Sequence, residues 1–427
     1  VSPTRSASLP ADAKPYERRL LAVVVLVQFI NILDFMMISP LGPTLAGPLG
    51  ISPSELGDPV AAYTFAAAFA GLGGSFFLDR FDRRTVLVIC VAALGLGTCL
   101  GALATSRIDL VAARMVAGFF GGPATSVAIA MVADTIPAYR RGKALGIVMG
   151  SFAAATVLGV PLSLMLAEVG GWQAPFLGIG LAAISLAGVA RGLLPTMREH
   201  LNMPHGASIS LGQMLGRPAV RASYLMTFTM NVGGFALIPN ISTFVQNNLS
   251  VSLSALKYLY LAGGIVSFFT TRAAGRLVDK VGSFRVGLLG CLLQVSVVYS
   301  TFVAVGVMPF ATHLIPTLYV FFIGFMFANG IRNVACSTLA TQVPRPAERA
   351  RFTSLQSCVQ HFGAAIGAST SARILESAPD GSLTHLDRVA WITIVSSLLL
   401  PMIMLQIEKR RTREGLQYGE VLPVRSP

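Results

Sequence analysis

The sequence predicts an all-α membrane protein: twelve transmembrane helices in two pseudo-symmetric six-helix bundles. Three observations predict it. Of the 427 residues, 54% are hydrophobic and only 12% are charged, against about 25% charged in an ordinary soluble protein. Apolar runs long enough to cross a ~30 Å hydrocarbon core recur along the whole length. The chain also repeats itself at an offset of 200 positions. Ser75-Phe76-Phe77-Leu78-Asp79-Arg80-Phe81-Asp82-Arg83-Arg84 returns as Gly275-Arg276-Leu277-Val278-Asp279-Lys280-Val281-Gly282. Leu49-Gly50-Ile51-Ser52 likewise returns as Leu249-Ser250-Val251-Ser252. A charged knot set twice into the same apolar context marks one helical unit used twice.

Residues 1–19 are polar and rich in Pro, Ala and Ser, with no apolar core of a signal peptide. They are expected to form a disordered cytoplasmic tail, so the first span acts as its own insertion signal. The first bundle covers 20–194, with spans at 20–45, 59–78, 85–104, 108–136, 144–168 and 174–194. A polar linker follows at 195–220, punctuated by Pro195, Pro204 and Pro218. Within it, Ile209 to Leu215 reads equally as a short interfacial helix or a plain loop. The second bundle covers 221–408, with spans at 221–247, 257–277, 285–307, 314–343, 351–376 and 388–408, and a cytoplasmic tail at 409–427.

Orientation follows from Lys and Arg. With the N-terminus inside, the inner segments hold Arg18 and Arg19, Arg80, Arg83 and Arg84, Arg140, Arg141 and Lys143, and Arg198, Arg217 and Arg221. In the second half they hold Arg276, Lys280, Arg285, Arg345, Arg349, Arg351 and the cluster Lys409 to Arg413. The outer segments offer Arg107, Lys257, Arg373 and Arg388. Both termini are therefore expected in the cytoplasm, with the chain in the inner membrane. The net charge of +13 lies in short loops rather than on one domain, which argues against a nucleic-acid partner. The five cysteines sit in apolar runs without paired spacing, so no metal site or disulfide is expected. No nucleotide loop, helix-borne metal pair or nucleophile–His–acid set is present, so the chain does not read as an enzyme.

At the inner end of the second span, Asp79 can face the N-terminus of a neighbouring helix, where partial positive charge favours an anion. Arg83 can pair with a second acid, and Asp134 at the inner end of the fourth span is the candidate. A topology signal needs Lys or Arg but not Asp. This loop resembles the signature of the major facilitator superfamily, Gly-x3-Asp-Arg/Lys-x-Gly-Arg-Arg/Lys. Asp79, Arg80, Arg83 and Arg84 match, and Ser75 and Asp82 depart where the family has Gly. The weaker second copy matches at Gly275, Asp279, Lys280 and Gly282. The resemblance implies the twelve-helix facilitator fold. It also implies a cytoplasmic gate in which these charges, with Asp134, latch the two halves.

Two further motifs resemble the drug:proton antiporters, the second in the form of the arabinose- and sugar-efflux branch. One is Arg114-x3-Gly118-x2-Gly121-Gly122 in the fourth span. The other runs from Gly150 through Gly159-Val160-Pro161-Leu162 to Gly171-Trp172 in the fifth. Physically, glycines such as Gly150 and Gly159 let helix backbones approach, and Pro161 bends its helix.

Intramembrane polar groups carry the functional expectation. Asp34 lies mid-span, where a lone acid is costly and faces a cavity or a partner. The repeat places Gly234 at its equivalent, so Asp34 is not part of the repeated scaffold. Arg114 lies within reach, and a proton on Asp34 would weaken the pair; the two form the expected proton-coupling site. Substrate-contact candidates are Asn31, Asn231, Asn240, Arg332, Gln356, Gln360 and His361. Gln356, Gln360, Gly363 and Gly367 fall on one helical face, either as cavity lining or as a packed polar seam. Arg332 either contacts an anionic or polyhydroxylic substrate or snorkels to the cytoplasmic edge.

The expected function is secondary active transport by alternating access: proton-coupled efflux of a small organic molecule such as a drug-like compound, sugar or metabolite. Uptake as a symporter or facilitator, with an anionic solute held by Arg332, is the alternative; a non-transporting sensor or scaffold is a further one. The expected partners are the substrate and the lipid bilayer, the expected state is a monomer, and protons are the coupling ion with no other cofactor.

Overall fold

The computed structural model describes residues 13–198, 211–304, 314–345 and 348–417. In the first half α1 (Ala13–Met36) runs into α2 (Ile38–Leu49), followed by α3 (Gly57–Phe77), α4 (Arg83–Ala102) and α5 (Arg107–Thr135). Next come α6 (Ala138–Ala154), a π-turn (Ala155–Gly159), α7 (Val160–Gly170) and α8 (Gln173–Leu193). The short α9 (Leu211–Gly216) precedes α10 (Pro218–Thr243), α11 (Leu253–Val281), α12 (Ser283–Tyr299), α13 (Leu314–Thr341) and α14 (Arg349–Ile374). A small antiparallel hairpin, β1 (Glu376–Ser377) with β2 (Leu383–Thr384), leads to α15 (Leu386–Gln417). Two pairs act as single crossings. Met37 N donates to Leu33 O at 2.9 Å and Leu41 N to Met37 O at 3.3 Å, which carries the helical ladder from α1 into α2. The π-turn joins α6 to α7 directly before Pro161, which has no N–H for the ladder. Each half therefore contributes six crossings.

The expected boundaries need three corrections. The tail expected over 1–19 is helical from Ala13 on, and Glu17 is buried with its Oε1 2.8 Å from Arg140 Nη2. The tail expected from 409 continues α15 to Gln417. Helix α11 runs through Asp279 and Lys280 to Val281, so the second charged knot is a last helical turn closed by Gly282 at φ 88°, rather than a loop. In the linker, of the two readings left open, the structure has a helix at Leu211–Gly216.

Among the described residues, ten helical segments are long and apolar enough to cross a membrane by composition. Helices α3 and α14 pack closely on each other across the seam between the bundles. A Cβ at Gly57 would lie 2.8 Å from Ala368 O, and one at Gly71 3.3 Å from Cys358 Sγ. Phe65 and Phe362 stack at 6.2 Å across the same seam. The repeat is visible in the backbone as well. Gly50 and Ser250, 200 positions apart, both take left-handed φ (62° and 54°), a conformation that is free for Gly and costly for Ser. Two positions on, Ser252 caps α11 by accepting from Ala255 N, and Ser52 sits at the start of the turn Pro53–Leu56.

In the half of the molecule away from the termini, hydrogen bonds and ion pairs join the two bundles. Ser39 Oγ donates to Pro239 O at 3.0 Å, and Gln246 Nε2 to Pro40 O at 3.3 Å. Ser52 and Ser377 hydroxyls meet at 2.7 Å. Glu168 accepts from Lys257 Nζ at 2.8 Å and from Ser254 Oγ at 2.6 Å. Nearer the middle, α11 crosses the π-turn so closely that a Cβ at Gly264 would lie 2.9 Å from Val157 Cα.

Candidate functional site

Asp34 on α1 and Arg114 on α5 meet in the interior of the first bundle. Arg114 Nη1 donates to Asp34 Oδ1 at 2.8 Å and Nη2 to the Asp34 carbonyl at 3.0 Å. Their side chains are 0% and 1% exposed, so this is a desolvated ion pair, stable only while both charges are present. Thr98 on α4 donates to the same Oδ1 at 2.7 Å. Asp34 Oδ2 and Arg114 Nε make no hydrogen bond among the described residues.

The ring of Tyr63 on α3 lies 4.6 Å from the guanidinium carbon, a cation–π contact that adds to the pair. Its hydroxyl donates to Asn31 Oδ1 at 2.7 Å. Asn31 Nδ2 in turn donates to Gly121 O at 2.7 Å and to Thr125 Oγ1 at 2.9 Å. Thr125 Oγ1 donates to Gln28 Oε1 at 3.1 Å. One continuous polar chain thus joins α1, α3, α4 and α5.

The glycines of the fourth-span motif make this chain possible. A Cβ at Gly118 would lie 2.1 Å from Tyr63 O, and one at Gly122 2.7 Å from Ala67 O. One at Gly121 would lie 2.5 Å from the Tyr63 hydroxyl, where the bond to Asn31 forms. Gly118 stands four residues from Arg114, on the same face of α5. The close approach of α3 at Gly118 is what brings the Tyr63 ring under the guanidinium. Tyr63, Thr98, Thr125 and Gln28 were not singled out in the sequence; the spacing of Gly118 to Arg114 was the signal that another helix must pass there.

Of the fifth-span motif, Gly159 packs on α1, with a Cβ there 2.8 Å from Leu33 Cδ1. Gly150 is a correction: it is exposed and a Cβ would meet nothing within 4 Å among the described residues, so it makes no close helix approach there. Pro161 follows the π-turn that accommodates it.

At the end carrying the termini, Arg83 Nε donates to Asp134 Oδ2 at 2.9 Å, the expected partner, within the first bundle. Arg84 Nη1 donates to Leu194 O at 3.0 Å, and Arg80 is exposed. The side chain of Asp79 lies outside the described residues. Asp279 and Lys280 are exposed, without a hydrogen bond or ion pair among the described residues. Asp82, which departs from the loop signature, has a structural task of its own. It is buried, caps α4 by accepting from Arg84 N at 2.9 Å, and accepts from Met197 N at 3.1 Å, with Arg198 Nε 3.6 Å away. Burial pushes its carboxyl up, but the backbone N–H groups of Met197, Arg84 and Thr85 and the charge of Arg84 outweigh burial and hold it below the usual carboxylate range.

In the second bundle, Arg332 on α13 is 1% exposed, so it does not snorkel to a surface. Its Nη1 donates to Ser397 Oγ at 3.1 Å and its Nη2 to Asn329 Oδ1 at 2.9 Å. Asn231 donates to Thr227 O of its own helix at 2.8 Å, and Asn240 donates to Ala236 O and to Ser371 Oγ, both at 3.0 Å. Gln356 Nε2 donates to Thr227 Oγ1 at 3.3 Å. Cβ atoms at Gly363 and Gly367 would lie 2.9 Å from Phe228 O and 2.5 Å from Val232 O. Gln356, Gly363 and Gly367 therefore form a seam of α14 on α10. Gln360 is exposed and His361 half-buried. The structure brings Asp34, Arg114 and Asn31 together in one bundle and leaves Arg332 in the other.

Residues 24–406 match the family model of the Major Facilitator Superfamily. The chain belongs to that superfamily. This facilitator is 23% identical over 401 residues to the uncharacterized MFS-type transporter YceJ of Bacillus subtilis, covering 92% of this chain and 98% of that one. It is 26% identical over 289 residues to the purine ribonucleoside efflux pump NepI of Escherichia coli K12, covering 67% of this chain and 72% of the pump. Its fold is similar to the crystal structure of a D-xylose–proton symporter, at TM-score 0.76 and 18% identity over 92% of this chain and 98% of that one. A bacterial homologue of the human lysosomal transporter Spinster, in an inward-facing and unoccupied conformation, matches at TM-score 0.69 and 18% identity over 95% and 98% of the two chains. The protein is a multi-pass membrane transporter of the facilitator fold and not an enzyme.

Proposed function

We propose that this facilitator exports a small organic molecule in exchange for protons, with Asp34 as the proton-accepting carboxylate and Arg114 as its counter-charge. The observation that carries the reading is the buried Asp34–Arg114 pair, whose second carboxylate oxygen, Oδ2, has no hydrogen-bond partner among the described residues. A proton accepted at Oδ2 turns the carboxylate into a neutral acid and removes the ionic part of the pair. Arg114 then keeps the Tyr63 ring and the Asp34 carbonyl as its contacts. A buried pair held only while both partners are charged is a two-state element, and a ligand that binds one state better shifts the equilibrium toward it. Proton and substrate are coupled when each favours a different state.

The distribution of Lys and Arg supports an inner-membrane protein with both termini in the cytoplasm; the closed seam at Ser52–Ser377 and Glu168–Lys257 then faces outward. The relation to a purine ribonucleoside efflux pump makes purine ribonucleosides the first substrates to try. The transporter works as a monomer in the bilayer, without nucleic acid and with protons as its coupling ion.

The test is uptake into proteoliposomes, with and without an imposed pH gradient, of purine ribonucleosides, sugars and cationic drugs. Asp34→Asn should keep passive exchange and lose stimulation by the gradient. Full stimulation in Asp34→Asn would make Asp34 a structural residue.

A further inference from the structure

The second bundle buries a guanidinium without a counter-charge. Arg332 is bonded only to the neutral Ser397 and Asn329, and no carboxylate pairs with it among the described residues. Those two bonds leave three of the five N–H donors of a guanidinium for an incoming group. The Nε among them is buried and has no partner among the described residues. A bare cation in a membrane-embedded core is strongly disfavoured.

The first bundle shows what is missing. Helix α10 takes in the second repeat the place of α1 in the first, and Gly234 stands 200 positions after Asp34. Gly234 faces Arg332. A Cβ there would lie 3.8 Å from Arg332 Nη2 and 3.7 Å from Ile238 Cδ1, and beyond its own helix backbone and chain neighbours no other atom of the described residues lies within 4 Å. The acid that neutralises Arg114 has no equivalent beside Arg332, and glycine leaves its place open. A second buried polar side chain lies on the neighbouring α12. Gln294 stands one turn along α12 from Gly290, where a Cβ would touch Arg332 N at 2.7 Å. Gln294 is fully buried, and neither its Oε1 nor its Nε2 makes a hydrogen bond among the described residues. The neighbouring Phe235 meets Phe35 across the bundle seam at 5.6 Å.

We propose that Arg332 and Gly234 form an anion site in the second bundle that takes one singly charged group of carboxylate size. The group is either the carboxylate of an organic anion or a small inorganic anion such as chloride. A planar carboxylate fits the remaining donors of a guanidinium by a bidentate pair. The site does not rest on proton coupling at Asp34, and its test reads binding rather than transport.

The experiment is a thermal-melting titration of the full-length purified protein. Sodium benzoate, acetate or chloride replaces sodium sulfate at constant ionic strength, with benzamide as the neutral control. Binding to the folded state raises the midpoint; a saturable rise of at least about 2 °C is expected, with none from benzamide. A rise with benzoate and acetate but not chloride assigns the site to an organic carboxylate, and a rise with chloride alone assigns it to a free inorganic anion. Gly234→Asp supplies the carboxylate internally and should abolish the response while keeping the midpoint at or above that of the wild type. Arg332→Gln should also abolish the response, and it carries the test where Gly234→Asp does not fold. A flat wild-type titration, or an undiminished response in Arg332→Gln, overturns the proposal.

Discussion

Arg114 and Asp34 meet at 2.8 Å with 1% and 0% of their side chains exposed, and the same guanidinium lies 4.6 Å from the centre of the Tyr63 ring. Removing one partner of a buried pair strands the other. Asp34→Ala or Arg114→Ala should each lower stability by about 3–5 kcal/mol. The double substitution should cost clearly less than the sum, because it leaves no charge unpaired. Melting midpoints of the four proteins measure this, and strict additivity would show the pair to be uncoupled.

Tyr63 acts through both its ring and its hydroxyl, and two substitutions separate them. Tyr63→Phe keeps the ring over Arg114 and leaves Asn31 Oδ1 without its donor, a loss of about 1–3 kcal/mol. It should retain gradient-driven transport. Tyr63→Leu removes the cation–π contact as well, and gradient-driven uptake into proteoliposomes should fall far more than with Phe.

Gly118 and Gly150 belong to similar-looking motifs but have opposite surroundings. Gly118→Ala places a methyl 2.1 Å from Tyr63 O, a backbone atom that cannot move aside, so α3 and α5 must part. The expected loss is at least about 1–3 kcal/mol, with transport impaired as Tyr63 leaves Arg114. Gly150→Ala meets nothing within 4 Å and should be neutral or stabilising by about 0.5–1 kcal/mol. The yield of monodisperse protein and its melting midpoint compare the two.

Asp82 ties the start of α4 to Met197, at the beginning of the linker. Its carboxyl is held below its ordinary value of 3.8. A depressed acid contributes stability that is whole above the unfolded value and lost as pH falls through the lower folded one. The midpoint difference between wild type and Asp82→Ala, on the order of 1 kcal/mol for a helix cap, should therefore be flat at neutral pH. It should narrow only below pH 3.8. At neutral pH the same substitution should speed tryptic cleavage after the exposed Arg198.

The sequence alone determined the fold class, the two-fold repeat and the pairing of Asp34 with Arg114. Hydrophobic run length is a local property set by bilayer thickness, and the 200-position offset is carried by short strings such as Leu49 to Ser52. A lone acid and a lone base at compatible depths in one bundle have few other partners, so their pairing was legible, as was that of Arg83 with Asp134. Tertiary structure decided the rest. Only the approach of α3 to α5 shows that Gly118 admits Tyr63 to the site, and only the empty space around Gly150 shows that the same residue type does nothing comparable there. The packing of α14 on α10 determines that Asn240 and Gln356 bond between helices. Asp82 read as a departure from a signature until Met197 was seen to donate to it. Arg332 was ambiguous between surface and interior until Gly234 and Ser397 were found beside it. The physical reason is common to all of these. The cost of a buried polar group depends on which atoms of other helices come within about 3 Å of it, and no local pattern encodes that distance.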